Sequence, residues 1–279
     1  SDNNGSEGLE AYYNKELSGT AGKVVTSKGN YGSEMLYTYE KYYDASDGCS
    51  LVTTIDATVQ AYVEKNLQNA IDKYDIKNGA FCIVMDVNTG EIKAMATLGS
   101  YDPNNYLEIY DDTTALLLEN ERAAALALPE ASAAYEAAIE TYKQDVAAAR
   151  MAQWRNRCVS DGYEPGSTFK LITLASALDS GAVTLNDSFY CGGQEKFTGR
   201  EQILNCWKSA GHGAQTTAQA LGNSCNIAFG HIGLRMGGDT FYDYLKSFGV
   251  MEKTGVDLPG EASGLFYERK YLNDPANYG

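Results

Sequence analysis

The sequence contains no run of roughly 18 to 20 apolar residues, which is the length that a membrane-spanning helix requires. Its start, Ser1-Asp2-Asn3-Asn4-Gly5, has neither the positively charged nor the apolar region of a signal peptide. The sequence therefore predicts no membrane span, and any natural anchor is expected to lie outside it.

Basic residues are also scarce. The chain has 22 Lys and Arg against 37 Asp and Glu, a formal net charge of −15, and no stretch rich in Lys or Arg. Binding to nucleic acid depends on neutralising phosphates, so this charge balance argues against nucleic acid as a partner.

Residues spaced as metal ligands are missing as well. The only histidines, His212 and His231, do not form an HExxH pattern, and no two cysteines form a C-x-x-C pair. This spacing argues against a zinc site, and neither a metal nor a cofactor is predicted. Cys191 and Cys206 bracket a glycine-rich loop and could close a disulfide in an oxidising compartment, which the even cysteine count leaves open.

What the sequence does have is an ordinary share of hydrophobic residues, 44%, which predicts a chain that folds around a core. Residues 1–48 are rich in Tyr, Gly and Ser and lack sustained periodicity, so they are interpreted as a linker or pedestal. Residues 49–279 are predicted to form one domain. Strands followed by a largely helical region indicate an α+β (α/β) fold.

Several elements can be placed from local patterns. Asp56 precedes apolar residues spaced three and four apart, which predicts a capped amphipathic helix to about Ala70. The apolar run Phe169–Leu178 predicts a helix that is buried nearly all round. The other predictions are a hairpin of Phe81–Val87 with Ile92–Thr97, and an Ala-rich insertion at about 112–153 with two helices parted near Pro129.

The first candidate site is Ser167 with Lys170. Their spacing places both side chains on one face at the start of the predicted buried helix, where they could share a hydrogen bond. A lysine that is partly desolvated can lose its proton and activate a serine hydroxyl as a nucleophile. Taken alone, S-x-x-K is more often a capping serine followed by a solvated lysine.

The second candidate is Asn223-Ser224-Cys225-Asn226, in which a serine and an asparagine one residue apart could both point into a cleft. Ser224 could relay a proton, and Asn226 could bind an amide. A helix cap is the ordinary explanation for such a pair on its own. The two motifs in this order are far less expected by chance.

These motifs sit in longer stretches, Arg155–Lys170 (RNRCVSDGYEPGSTFK), Cys206–Gly213 (CWKSAGHG) and Lys253–Glu261 (KTGVDLPGE). Over about residues 5–279 the chain resembles a class B penicillin-binding protein. The resemblance implies the fold shared by penicillin-binding transpeptidases and serine β-lactamases, an antiparallel sheet flanked by helices with a helical lobe. It also implies the site roles: nucleophile Ser167, general base Lys170, proton relay Ser224 and substrate-amide ligand Asn226.

The function implied by the resemblance is D,D-transpeptidation of peptidoglycan stem peptides, with β-lactams bound covalently at the same serine. It further implies a parent protein at the extracytoplasmic face of the bacterial plasma membrane, with a membrane anchor and partners in cell-wall synthesis. The family's third motif, K-[ST]-G, lies on a strand. Lys253-Thr254-Gly255 runs into a turn-rich stretch with Pro259, so it is not taken for that motif, and the sheet is expected to be incomplete.

Two other functions stay open. A chain without the third motif could be inactive and serve as a scaffold or partner-binding module of the same fold. A serine β-lactamase or carboxypeptidase would use water to resolve the acyl-enzyme. Glu201 begins a match to the E-x-x-L-N pattern of class A β-lactamases, but it precedes S-x-N where that family has it afterwards. An exposed acidic residue explains Glu201 better.

Overall fold

The chain divides into two compact units. The first comprises 1–161 with 257–261, and the second comprises 162–256 with 262–279. The structure is a computed structural model, and it describes residues 4–25, 41–77, 79–130, 132–199 and 201–273. The predicted division between 48 and 49 stays a prediction.

The first unit is mainly helical, with two short antiparallel strand pairs in its described residues. Its helices are α1 (Gly8–Tyr12), α2 (Asn14–Leu17), α3 (Ala57–Tyr74), α4 (Asp112–Leu126), α5 (Ala133–Trp154) and α6 (Arg157–Ser160). Its strands are β1 (Lys23–Val25), β2 (Lys41–Tyr43), β3 (Phe81–Met85) and β4 (Ile92–Thr97), paired antiparallel as β1 with β2 and β3 with β4.

The local predictions for this unit are confirmed. Asp56 caps α3 by accepting hydrogen bonds from the backbone N–H groups of Thr58 and Val59, at 2.8 and 3.0 Å. This satisfies two of the amide donors that every helix start leaves unpaired. The hairpin β3–β4 has a register irregularity between Val84 and Met85, as a bulged turn produces. The Ala-rich segment forms the two helices α4 and α5.

The second unit carries the two candidate motifs. Its helices are α7 (Lys170–Asp179), α8 (Thr217–Gly222), α9 (Asn226–Met236), α10 (Gly238–Ser247) and α11 (Arg269–Leu272), and a 3₁₀ turn spans Gly166–Phe169. Its strands are β5 (Ser188–Cys191), β6 (Gln194–Glu195), β7 (Leu204–Asn205) and β8 (Gly213–Thr216), paired antiparallel as β5 with β8 and β6 with β7.

The core of the second unit lies around α9, which is the most deeply buried helix. Ile227 and Ile232 of α9 have no exposed surface, and they pack with residues of α7, β5 and α8. The prediction that α7 is buried all round is wrong, because Leu171 is 62% exposed while Leu174 and Ala177 are buried. Only the face of α7 that packs on α9 and α10 is covered.

The described residues thus contain four two-stranded antiparallel sheets among helices. None of the helices in these ranges is both long and apolar enough to cross a membrane. In the second unit, two glycines let neighbouring loops touch. A Cβ on Gly193 would lie 1.9 Å from Ser209 O, and one on Gly211 would lie 2.2 Å from Cys191 O. Both have positive φ, so no other residue fits easily there.

Candidate active site

Ser167 and Lys170 meet at the junction of the 3₁₀ turn and α7. In a 3₁₀ turn, residues three apart are eclipsed, so the turn stacks the two side chains directly. The distance from Lys170 Nζ to Ser167 Oγ is 3.1 Å. Thr168 stabilises the turn by donating from Oγ1 to the carbonyl of Pro165 at 2.6 Å. Ser167 is exposed and Lys170 is partly buried, so the hydroxyl is accessible while the amine is shielded.

The S-x-N segment forms the exit of α8. The N–H of Ser224 donates to the carbonyl of Leu221, and the N–H of Cys225 donates to that of Ala220, both at 2.9 Å. This pair of bonds is a Schellman motif, whose first residue beyond the cap is usually glycine in the left-handed conformation. Here that residue is Ser224, with φ of +47°. A serine held in this strained conformation, where glycine would fit better, indicates a functional role for its hydroxyl.

The strain at Ser224 gives a stability prediction. Ser224→Gly and Ser224→Ala remove the same hydroxyl, but only glycine adopts positive φ without cost. We expect the glycine variant to have the larger free energy of unfolding, by about 1 kcal/mol. Urea denaturation of the two variants measures this difference. Equal midpoints would show that the left-handed conformation costs nothing here.

Lys170 Nζ contacts both ends of the S-x-N motif as well as Ser167. It lies 2.6 Å from Asn226 Oδ1, 2.9 Å from the carbonyl of Ser224 and 3.1 Å from Ser224 Oγ. The amide oxygen of Asn226 and the backbone carbonyl of Ser224 can only accept hydrogen bonds, so they take two N–H groups of the lysine. A neutral amine would then direct its lone pair at a hydroxyl. This geometry suits a base that removes a serine proton.

The environment of Lys170 favours the neutral form. Burial lowers the pKa of Lys170 below its ordinary value of 10.5, and the thiols of Cys206 and Cys225 oppose this effect. The ring of Phe229, 5.5 Å from Nζ, forms an apolar wall of the same site. A lowered lysine pKa increases the fraction of base that is available near neutral pH.

Two residues that the sequence analysis did not single out hold the S-x-N segment in place. Asn226 Nδ2 donates to the carbonyl of Asn205 at 3.0 Å, and Trp207 Nε1 donates to the carbonyl of Asn223 at 2.8 Å. The first bond fixes the orientation of the Asn226 amide. Asn205 acts through its backbone, so no side-chain pattern in the sequence could have identified it.

Three cysteines and a histidine gather beside this site. The candidate ligand atoms of Cys191, Cys206, His212 and Cys225 all lie within 4.8 Å of one another. All six cysteines of the chain are free thiols, so the disulfide considered between Cys191 and Cys206 is not formed. The spacing argument against a zinc site looked for ligands close in sequence, whereas the fold assembles these four from separate segments.

The thiols of this cluster have shifted acidities. Burial raises the pKa of Cys225 to about 11, and the adjacent Cys191 thiol adds to the rise. Burial acts to raise the pKa of Cys206, but the backbone N–H groups of Lys208 and Asn226, together with the thiols of Cys191 and Cys225, lower it below its ordinary value. The Cys206 sulfur is therefore the one best prepared to carry negative charge.

The two remaining motif matches are Lys253-Thr254-Gly255 and the segment that begins at Glu201. Lys253-Thr254-Gly255 lies in irregular backbone after α10, outside every strand of the described residues, which agrees with its rejection as the third motif. Glu201 is exposed, as the simpler interpretation of that residue required.

The site thus has the parts of a serine nucleophile activated by an amine, with a hydroxyl and an amide facing the same amine. A family model described as the penicillin binding protein transpeptidase domain matches residues 80–279. The chain belongs to the penicillin-binding protein transpeptidase domain family. The resemblance to class B penicillin-binding proteins and the predicted α+β fold class are confirmed.

Several relatives extend this finding. The chain is 34% identical over 267 residues to stage V sporulation protein D of Bacillus subtilis, covering 95% of this chain and 35% of that protein. It is 27% identical over 283 residues to peptidoglycan D,D-transpeptidase FtsI of Escherichia coli K12, covering 98% and 38%. A solved peptidoglycan synthetase from Bifidobacterium adolescentis has a TM-score of 0.68 and 26% identity, covering 96% and 40%. The chain therefore spans well under half the length of these relatives.

Proposed function

We propose that this chain performs the acyl-transfer chemistry of a peptidoglycan D,D-transpeptidase. The observation that supports this best is the single amine, Lys170 Nζ, within 3.1 Å of Ser167 Oγ, Ser224 Oγ and Asn226 Oδ1. The relatives' names support the same reaction, since FtsI is called a peptidoglycan D,D-transpeptidase. The proposed substrate is a stem peptide that ends in D-Ala-D-Ala.

Acylation begins when Ser167 Oγ attacks the carbonyl carbon of the penultimate D-Ala. Lys170, as the neutral amine, takes the hydroxyl proton as the C–O bond forms. One N–H of Asn226 Nδ2 is used by the Asn205 carbonyl, and the second is the group that would donate to a substrate amide. The peptide C–N bond then breaks, and the proton reaches the leaving amine through Ser224 Oγ. Free D-Ala departs, and an ester to Ser167 remains.

Transfer reverses these roles. An amine of a neighbouring stem peptide attacks the ester carbonyl, and its proton passes to the Ser224–Lys170 pair. The ester C–O bond breaks, Ser167 Oγ recovers a proton, and a new peptide bond links the two strands. A β-lactam would acylate Ser167 in the same way, but its leaving amine stays tethered to the acyl group and blocks the approach of an acceptor.

The proposed function implies a cellular location, ligands and partners. Peptidoglycan is assembled outside the plasma membrane, so the extracytoplasmic face is the proposed location. Stem peptides and β-lactams are the proposed ligands, and other proteins of cell-wall synthesis are the proposed partners. The charge of −15 fits a protein that does not bind nucleic acid.

The test is covalent labelling of the 279-residue chain with a fluorescent penicillin. Intact-mass analysis should show one adduct per chain, and peptide mapping should place it on the peptide that contains Ser167. The label should persist, since no acceptor amine is present. An adduct at another residue, or no adduct, would overturn the proposal for this chain. Rapid loss of the label in buffer would instead assign a hydrolase.

A further inference from the structure

The cluster of Cys191, Cys206, His212 and Cys225, called here the thiol cluster, is not used by the proposed acyl transfer. Cys191 ends β5, Cys206 follows β7, His212 precedes β8, and Cys225 is the N-cap residue of α9. The close loop contacts at Gly193 and Gly211 bring these segments together. The cysteines are buried and the histidine is partly buried, with all four ligand atoms within 4.8 Å.

Ordinary core packing explains part of this cluster but not all of it. Free cysteines are often buried as small apolar residues, and these three lie in the unit's hydrophobic core. An imidazole has no such reason to be there. His212 Nδ1 faces Cys206 Sγ at 3.6 Å, and its buried Nε2 has no hydrogen-bond partner among the described residues. A buried imidazole is costly to place here, and a metal bound to Nδ1, on the side of the thiols, would offset that cost while Nε2 carries the ring proton.

The backbone around the sulfur atoms adds a second observation. The N–H of Ala228 donates to Cys225 Sγ at 3.5 Å, and the backbone N–H groups of Lys208 and Asn226 lie near the Cys206 sulfur. Cys225 also lies at the N-terminus of an eleven-residue helix, where the aligned peptide dipoles favour negative charge. Such bonds stabilise thiolates, and a second shell of this kind is typical of metal-bound cysteines.

The donor set selects the metal. Three sulfur atoms and one nitrogen favour Zn²⁺ in tetrahedral coordination, with Zn–S of about 2.3 Å and Zn–N of about 2.0–2.1 Å. Those lengths set the ligand atoms about 3.5–3.8 Å apart. The 3.6 Å between Cys206 Sγ and His212 Nδ1 already fits, and the widest separation, up to 4.8 Å, would close by about 1 Å. Four protein ligands leave no position for water or substrate.

We propose that Cys191, Cys206, His212 and Cys225 form a structural Zn²⁺ site. The metal joins the segment around Cys206 to the segment around Cys225. Asn205 and Trp207 flank Cys206, and they hold Asn226 and Asn223 through the two hydrogen bonds described above. The site therefore clamps the S-x-N segment at its middle residue. The metal site stands without the transpeptidase proposal, whereas its effect on acylation depends on that proposal.

The first experiment measures zinc in the purified chain. After expression with added zinc and removal of loosely bound metal by a weak chelator, elemental analysis should find about one zinc per chain. Cys206→Ser and His212→Gln should lower this content about tenfold or more. Cys49→Ser and Cys158→Ser are the matched controls, since both cysteines lie outside the cluster, and they should keep the metal. Zinc that persists in Cys206→Ser would be bound to the acidic surface and would overturn the site.

A second measurement needs no variant, so it remains informative if a substitution prevents folding. Co²⁺ added to the metal-depleted chain should give the visible bands of tetrahedral coordination with thiolate charge-transfer absorption, and Zn²⁺ should abolish them. Alkylation under denaturing conditions should modify all six cysteines. A disulfide within the cluster, or three thiols that bind neither metal, would contradict the proposal.

The link to catalysis is tested separately. Removing zinc from the chain should slow penicillin acylation and lower the thermal midpoint, and both should recover when zinc returns. Ser167→Ala should keep its zinc. If zinc is present and labelling fails, the transpeptidase proposal falls and the metal site stands. If labelling occurs and the purified chain never holds zinc at the cluster, the metal site falls and the transpeptidase proposal stands.

Discussion

Ser167→Ala is expected to eliminate covalent labelling by penicillin, because Ser167 Oγ is the exposed hydroxyl beside the Lys170 amine. Ser224 Oγ also lies 3.1 Å from Lys170 Nζ, but Ser224 is partly buried whereas Ser167 is exposed. A short polar-to-alanine change at an exposed position should cost less than about 0.5 kcal/mol in stability. The measurement is intact mass after incubation, with the urea midpoint recorded for the same sample.

The matched control is Ser180→Ala. Ser180 is the C-cap residue of the same helix, α7, and its Oγ donates to the carbonyl of Ala177 at 3.2 Å, so the change perturbs the helix without reaching Lys170. This variant should label like the unaltered chain. An adduct that persists in Ser167→Ala would show that another residue is the nucleophile, and Ser224 would be the first residue to examine by peptide mapping.

Lys170→Met should lower the second-order rate of acylation by about 10²–10⁴-fold, the range in which a positioned general base contributes. Methionine keeps a similar length and packing against Phe229 but has no amine. Labelling should remain detectable at long times because Ser167 is intact. Stopped-flow or quenched labelling at several penicillin concentrations measures the rate. The exposed Lys196→Met is the control, and it should leave the rate unchanged.

The pH profile separates a base from a merely structural lysine. The amine acts when neutral, so the rate should rise with pH as Lys170 loses its proton. Burial lowers its pKa, so the rise should be centred below the ordinary 10.5. Its surroundings include the oxygens of Ser167, Ser224 and Asn226, and the thiols of Cys206 and Cys225 work against the shift. The Lys170→Met variant should lose this rise in rate with pH. If the variant and the unaltered chain share the same profile, the rise belongs to another group.

Local elements followed from the sequence because short-range chemistry fixes them. Asp56 could be read as a helix cap since its partners are the amides two and three residues on. The hairpin of 81–97 followed from two β-rich runs and a turn with Gly90. The prediction that α7 is buried nearly all round was wrong because burial depends on distant segments. Its composition is apolar all round, but which face is covered depends on α9 and α10, and Leu171 faces away from the unit's core.

The sequence by itself determined the residues of the proposed acylation site. Ser167 and Lys170 are three positions apart, and Ser224 and Asn226 are separated by one, so local backbone geometry already orients each pair. Only the tertiary structure decided how those pairs meet at the Lys170 amine. It also decided that the Asn205 carbonyl accepts the hydrogen bond of Asn226 and that Ser224 is held with positive φ. It also decided the thiol cluster, because its four ligands come from positions 191 to 225 with no short spacing between them. Loop crossings at Gly193 and Gly211 bring these ligands together, and pairings between distant segments leave no local periodicity in a sequence.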